Sequence, residues 1–314
     1  MSRLSLGAAA SIVVLAAAAP AVDAQDLSPR AYLITPLRAN AITVANVFND
    51  GELLFDGTVP ITGSTGRLNM PNLTLTHSLS FFGRSANVAA SLAYGVGHFK
   101  GTVAEAEIDA YRSGLFDSVF RLSVNLKGAP AMAAPEFVKW RQKLLIGASL
   151  KVVAPTGQYD PTKLINLGAN RWAFKPEIGV SRRWGNWILD AYAAVWFFTE
   201  NPEFFSHNQY FPGTQSQTQE PIAAVEGHLS YDFRPRLWVS FDANFWRGGR
   251  TSLNGVQNPA TLQRSSRVGV TASLPLTRRQ SVKVGYADGA YVRFGGDYKI
   301  ASVAWQYSWV GKPK

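Results

Sequence analysis

Lys143-Leu144-Leu145-Ile146-Gly147-Ala148-Ser149-Leu150-Lys151-Val152-Val153 is the stretch on which the fold turns. Leu144, Ile146, Ala148, Leu150 and Val152 are apolar, while Lys143, Gly147, Ser149 and Lys151 fall between them. Successive side chains of a strand point to opposite faces, so this segment presents one greasy face and one wet face. The same period returns near 40–48, 72–81, 87–96, 117–126, 171–181, 187–198, 220–232, 237–246, 265–275, 280–287 and 298–309. Counted with the first, these make about twelve strands. An even number brings both ends of the sheet to one side. Lipid tolerates no unpaired strand edge, so the pattern predicts an all-β fold, a closed antiparallel transmembrane β-barrel.

The connections sort into two kinds. Segments 49–71, 97–116, 154–170, 199–219 and 247–264 are long, whereas 82–86, 182–186, 233–236 and 276–279 are tight. Long extracellular loops and short periplasmic turns are the habit of outer-membrane barrels. Segment 127–142 breaks the alternation, because a long connection stands where a turn is expected; within it Ala133 to Arg141 suits a short helix beginning at Pro135. Segment 49–71, with Leu53-Leu54-Phe55 and several glycines, either folds inward as a plug or holds part of the first strands. The tight turns carry Gly83-Arg84, Arg182-Arg183-Trp184-Gly185, Arg234-Pro235-Arg236 and Arg278-Arg279. Arginine there suits anionic lipid head groups and simple solvent exposure equally well.

The chain of 314 residues has no cysteine and a formal net charge of +10. Disulfide staples and thiolate metal sites are therefore excluded. After residue 24 no apolar run approaches the roughly 20 residues that a membrane-spanning helix needs. The start is different: Arg3 is followed by the apolar stretch Leu4 to Ala19 and by Val22-Asp23-Ala24. This predicts a secretory signal, residues 1–24, cleaved after Ala24, ahead of a single barrel domain over 25–314.

Parity assigns the faces. Toward lipid go Val88, Leu92, Tyr94, Val96, Phe120, Leu122, Val124, Leu126, Trp172, Phe174, Ile178, Val180, Leu237, Val239, Phe241, Phe245, Val303, Trp305, Tyr307 and Trp309. Several aromatics lie near strand ends, as interfacial girdles require. Inward go Arg121, Lys143, Lys151, Arg171, Lys175, Glu177, Asp190, Glu226, His228, Asp232, Asp242, Arg267 and Lys283, joined by Tyr192, Trp196, Trp238 and Trp246. A charge on the lipid face at the midplane costs roughly 2–4 kcal/mol, so charges confined to the other parity are an internal check on the fold. Both signs are present, which predicts cross-strand ion pairs. His77 falls on the outward face among Leu73, Leu75 and Leu79.

These residues have two explanations. The basic side chains line a permeation path that favours anions, or they simply fill a narrow barrel. Likewise the inward aromatics either form a strip that greets ring-shaped solutes or pack the wall. Catalysis finds little support: the histidines His77, His98, His207 and His228 have no metal-ligand spacing, and Thr76-His77-Ser78 sends histidine and serine to opposite faces. No cofactor is implied, and a secreted chain is a poor candidate for nucleic acid despite its charge.

Three segments resemble a known family, the outer-membrane barrel proteins named for the MetA pathway of phenol degradation. They are Ala154-Pro155-Thr156-Gly157-Gln158-Tyr159-Asp160, Asn170-Arg171-Trp172-Ala173-Phe174-Lys175-Pro176-Glu177-Ile178-Gly179 and Trp184-Gly185-Asn186-Trp187-Ile188-Leu189-Asp190. The resemblance implies an outer-membrane location and a role in moving small compounds, aromatic ones among them. The expectation is thus a Gram-negative outer-membrane channel for passive uptake or efflux of small solutes. Its partners would be membrane lipids, lipopolysaccharide, the solute and the insertion machinery. The alternatives are a plugged structural barrel and an enzyme acting on lipids at the rim. Many bacterial barrels end on an aromatic residue, whereas here Trp309 is followed by Val310-Gly311-Lys312-Pro313-Lys314.

Overall fold

The computed structural model describes residues 27–54, 61–103, 106–208 and 211–311, so the expected signal lies outside the described residues. In chain order the strands are β1 (Ala39–Leu54), β2 (Ile61–Phe81), β3 (Arg84–Val103), β4 (Ala106–Leu115) and β5 (Ser118–Lys127). A short helix α1 (Ala134–Lys139) precedes β6 (Leu144–Ala154), β7 (Ala173–Trp184), β8 (Trp187–Phe198), β9 (Gln217–Gln219), β10 (Ile222–Arg234) and β11 (Leu237–Gly248). The rest are β12 (Thr251–Leu253), β13 (Val256–Asn258), β14 (Gln263–Pro275), β15 (Gln280–Tyr291) and β16 (Gly295–Val310).

The barrel closes. Its ring runs β1-β2-β3-β5-β6-β7-β8-β10-β11-β14-β15-β16, and β16 returns to β1 in antiparallel register from Ala39↔Val310 to Leu54↔Gly295. Strand β4 pairs with Tyr94–Val103 of β3 and β5 with Ala86–Ser91, so the two share one edge, interrupted at Phe116-Asp117. Each of the twelve expected strands coincides with a strand of this ring. Alternation decides what each strand shows outside: Ile178, Phe241, Val225 and Leu75 are more than half exposed or nearly so, as lipid-facing residues of the isolated chain must be.

Aromatic contacts mark the two membrane boundaries. At the periplasmic ends Trp187 meets Tyr231, Tyr231 meets Phe233, and Trp305, Tyr307 and Trp309 succeed one another along β16. Trp172 stacks on Phe174 at the extracellular end of β7. The β2–β3 turn is Phe82-Gly83, with φ of 48° and 75°, the left-handed pair that a two-residue hairpin turn requires. The turn arginines tie neighbouring turns together. Arg236 donates to the carbonyls of Thr277, Arg278 and Gln280, and Arg84 to that of Leu126.

Several boundaries depart from the periodicity. Strands β1, β2 and β3 run well past the expected 40–48, 72–81 and 87–96, so much of 49–71 is wall and not an inward plug. From Gly63 to Met70 burial alternates, with Leu68 and Met70 inside, in a stretch whose threonine, glycine and asparagine hide the period. Much of 97–116 is strand as well, and the loops 199–219 and 247–264 contribute a small sheet, β13-β12-β9. The expected helix in 127–142 is present as α1, and its connection folds beneath the barrel. There Ala129, Met132, Leu145 and Ile34 form one apolar cluster, with Phe137 and Trp140 packed against it. Lys143 corrects an expectation. It is exposed and precedes β6, with its carbonyl accepting from the Arg183 amide at 2.9 Å, because the ladder starts one residue later.

Candidate functional site: the barrel lumen

Inside the ring lies a cavity of about 670 Å³, within the range of small-molecule sites. Of the inward candidates, Arg121, Lys151, Arg171, Lys175, Glu177, Trp196, Glu226, Asp242 and Lys283 line it. Asp190, His228, Trp238 and Arg267 are buried in the surrounding packing, and Lys143 stands at the periplasmic rim.

Register places the cations. Arg121 of β5 is directly opposite Lys151 of β6, and Lys151 is directly opposite Lys175 of β7. Like charges at opposed positions are destabilising, so something must offset this row. Glu177 takes Arg121 at 3.1 Å and Lys175 at 3.1 Å, and Glu226 takes Lys175 at 2.9 Å. From Glu226 the chain of contacts goes on to His228 Nε2 at 3.6 Å, and His228 Nδ1 lies 2.9 Å from Asp242. Asp242 also accepts from Ser240 and Thr271, both at 2.6 Å. Ser240 thus bonds the carboxylate and not the histidine, which is no nucleophile arrangement. Lys283 on β15 stands six places round the ring from β6, so cations occur on opposite walls.

The aromatics separate into two groups. Trp196 lies beneath Lys151 and Lys175, each 5.7 Å from its ring, and stacks with Phe198, over which Arg171 sits at 4.6 Å. These two stacked rings on β8, with cations from β6, β7 and the loop before β7 over them, climb toward the extracellular mouth. Trp246 packs with Trp196, Val153, Ala173, Ile222 and Ala224 and donates to Gln263 at 3.1 Å, so it belongs to the wall. Trp238 and Tyr192 lie lower, against the N-terminal segment described below. A single strip of all four does not form.

The extracellular mouth is narrowed by loop 155–172, the bearer of the family motif. Asp117, at the break between β4 and β5, accepts from the amides of Gly157 and Ala169, both at 2.8 Å, and so draws the loop inward. Leu167 then packs on Leu68, Met70, Val47 and Phe116. Tyr159 accepts from Asn201 at 2.8 Å and Asn170 donates to Asn201 at 3.0 Å, locking this loop to the next. Asp160 closes a turn. Its carboxyl is held down to about 2, chiefly by Lys163 and then by Thr162. Nothing about Asp117 or Asn201 in the sequence announces these roles, since each depends on a partner more than 30 residues away.

The periplasmic half holds what periodicity missed. Residues 27–38 enter the barrel and cross it before β1 begins. Arg30 pairs with Asp232 at 2.8 Å and lies 4.3 Å over the Trp238 ring, and its amide donates to Asp190 at 3.2 Å. Ala31 donates to the Tyr192 hydroxyl at 3.0 Å. The Tyr32 hydroxyl donates to Glu177 at 2.9 Å. Thr35 donates to Asn87 at 3.0 Å and Leu37 to the Met132 carbonyl at 2.8 Å.

A family model described as "Putative MetA-pathway of phenol degradation" matches residues 43–298. The chain belongs to this family. Among solved structures it is similar to an outer membrane channel from Pseudomonas putida F1, at 16% identity and a TM-score of 0.72, covering 90% of this chain and all of that one. The beta domain of the Bordetella autotransporter BrkA is similar at 10% identity and a TM-score of 0.51, covering 86% of this chain and all of that one. At such identities the likeness is one of fold. No curated protein matches the chain.

Proposed function

We propose that this member of the MetA family is a passive channel of the Gram-negative outer membrane that favours small anionic and aromatic solutes. The observation that carries the proposal is the cation and ring ladder of Arg171, Phe198, Trp196, Lys151 and Lys175 along one wall of the cavity. Fixed cations lower the barrier for an anion in a low-dielectric lumen. The ring faces give apolar planes on which a flat solute can lie. A volume of about 670 Å³ admits a single-ring compound with water around it. No energy source is needed, since a concentration gradient drives passage. The remaining parts of this account are removal of residues 1–24 before assembly, insertion by the outer-membrane machinery, and a lipid surround that includes lipopolysaccharide.

The alternative of a plugged barrel has one observation in its favour, the segment 27–38 across the lumen. Against the rim enzyme, His77 faces outward and contacts Asn40 at 2.7 Å, while Ser78 points inward to the Pro36 carbonyl and the Ala39 amide, so the two do not meet. Liposome uptake separates the readings. Vesicles holding the protein should admit benzoate faster than a neutral sugar of similar mass, with Lys151→Glu reducing the benzoate rate. Equal rates for the two solutes would refute the preference.

A further inference from the structure

The geometry points to residues 27–38 as a latched strap that shuts the periplasmic half of the lumen and leaves as a unit to open it. This rests on the channel reading and adds a gate to it. The strap fills space that the wall has kept for it. Gly147 and Gly179 are directly paired across β6 and β7, and a Cβ on either would come within 2.2 Å of the Tyr32 ring. Two opposed glycines cost a strand packing and backbone entropy, and here they make a niche in which Tyr32 is only 2% exposed. Tyr192 closes the niche edge-on at 5.3 Å. Beyond Tyr32, Ile34 completes the apolar cluster with Ala129, Met132 and Leu145, so strap and connection together obstruct the periplasmic end.

The manner of attachment argues for release and against permanent wall. Residues 27–38 join no strand ladder; they hold by side chains and single hydrogen bonds. The carboxylates they touch keep other partners. Asp232 retains Arg183 at 2.6 Å, and Glu177 retains both Arg121 and Lys175. Departure of Arg30 and Tyr32 therefore leaves Asp232 and Glu177 paired. Asp190, which loses the Arg30 amide, keeps its hydrogen bond from Ser181 and the nearby His228. An unpaired buried charge is what makes breaking most buried ion pairs prohibitive. Where the strap meets β1 at Ala39 the strand ladder begins, so that junction is the hinge on which it swings out.

The chain has no cysteine, so a single introduced thiol reports access. Ser91 lines the cavity four residues farther from the periplasm along β3 than Asn87, which holds the strap. In planar bilayers, Ser91→Cys should react with a methanethiosulfonate reagent added on the periplasmic side slowly in the latched protein. Adding Gly147→Val, whose Cβ meets the Tyr32 ring at 2.2 Å and so evicts it while suiting a strand, should speed that reaction and raise conductance. Tyr32→Ala should do the same by a different route. The expected gain is about tenfold, the change that a loss of about 1.4 kcal/mol in latching produces. Heat-modifiable migration on gels certifies that each variant has folded. Folded variants that react and conduct like the parent, or a parent thiol that already reacts rapidly, would overturn the strap. Faster reaction with no conductance in any variant would keep the strap and refute the channel.

Discussion

Lys175 illustrates how far a single residue can be understood from its neighbours. Parity alone sends it inward, but only the folded barrel places it between Glu177 and Glu226, at 3.1 and 2.9 Å. Its exchange should therefore act on stability as well as on permeation. Lys175→Glu gathers three carboxylates without their shared cation, and removal of one partner from a buried pair costs about 3–5 kcal/mol. Urea unfolding in lipid vesicles should show a midpoint clearly below that of the parent, and an unchanged midpoint would dismiss the pairing. Lys151 is the better probe of ion preference, because its opposite neighbours Arg121 and Lys175 would each gain a carboxylate. The inward face was legible in the sequence for nearly every charged residue, since a period of two decides it. Lys143 escaped because its strand begins one residue later. Arg30 and Tyr32 escaped because they lie on no strand, and periodicity has nothing to say about a segment whose contacts are all distant in sequence.

Among the elements, the hairpins were the most legible and the extracellular structures the least. The pairs β7–β8 and β10–β11 join through short turns whose glycine, proline and arginine residues stand out in the sequence. The extracellular halves of β1, β2 and β3 carry small and polar residues on both faces, so no apolar stripe signals them. Loop 155–172 belongs to this class too: its motif was visible, but its destination depends on Asp117. Asp117→Ala removes the acceptor for the Gly157 and Ala169 amides, and each buried donor left unsatisfied costs roughly 1–3 kcal/mol. Limited proteolysis of the folded variant should cut within 155–172 much faster than in the parent, with the barrel itself resistant. A loop that stays protected would mean that the Asn201 contacts and Leu167 suffice to hold it. The Asp160 turn within the loop should persist across the ordinary pH range. A carboxyl held down to about 2 contributes fully above its unfolded value near 3.8 and loses its hold only as pH falls through 2.

The whole molecule is a ring whose two ends are built differently. The periplasmic end is stopped by the strap and by the connection that carries α1, joined through Ile34, Ala129, Met132 and Leu145. The extracellular end is narrowed by a loop tied to the wall. Between them lies a cavity with cations on opposite sides and rings along one wall. Closure itself was legible, because twelve strands of alternating pattern have no other way to satisfy their edges in lipid. What the cavity favours was not, because it depends on which charges are neutralised by which neighbours. The most direct test is the zero-current potential across a planar bilayer under a salt gradient. It should be measured for the parent and for Lys151→Glu, each with and without Gly147→Val to free the lumen. An anion-preferring pore makes the dilute side negative, and Lys151→Glu should shrink or reverse that potential. A dilute side that turns positive in the parent, or a potential that Lys151→Glu leaves untouched, would contradict the account.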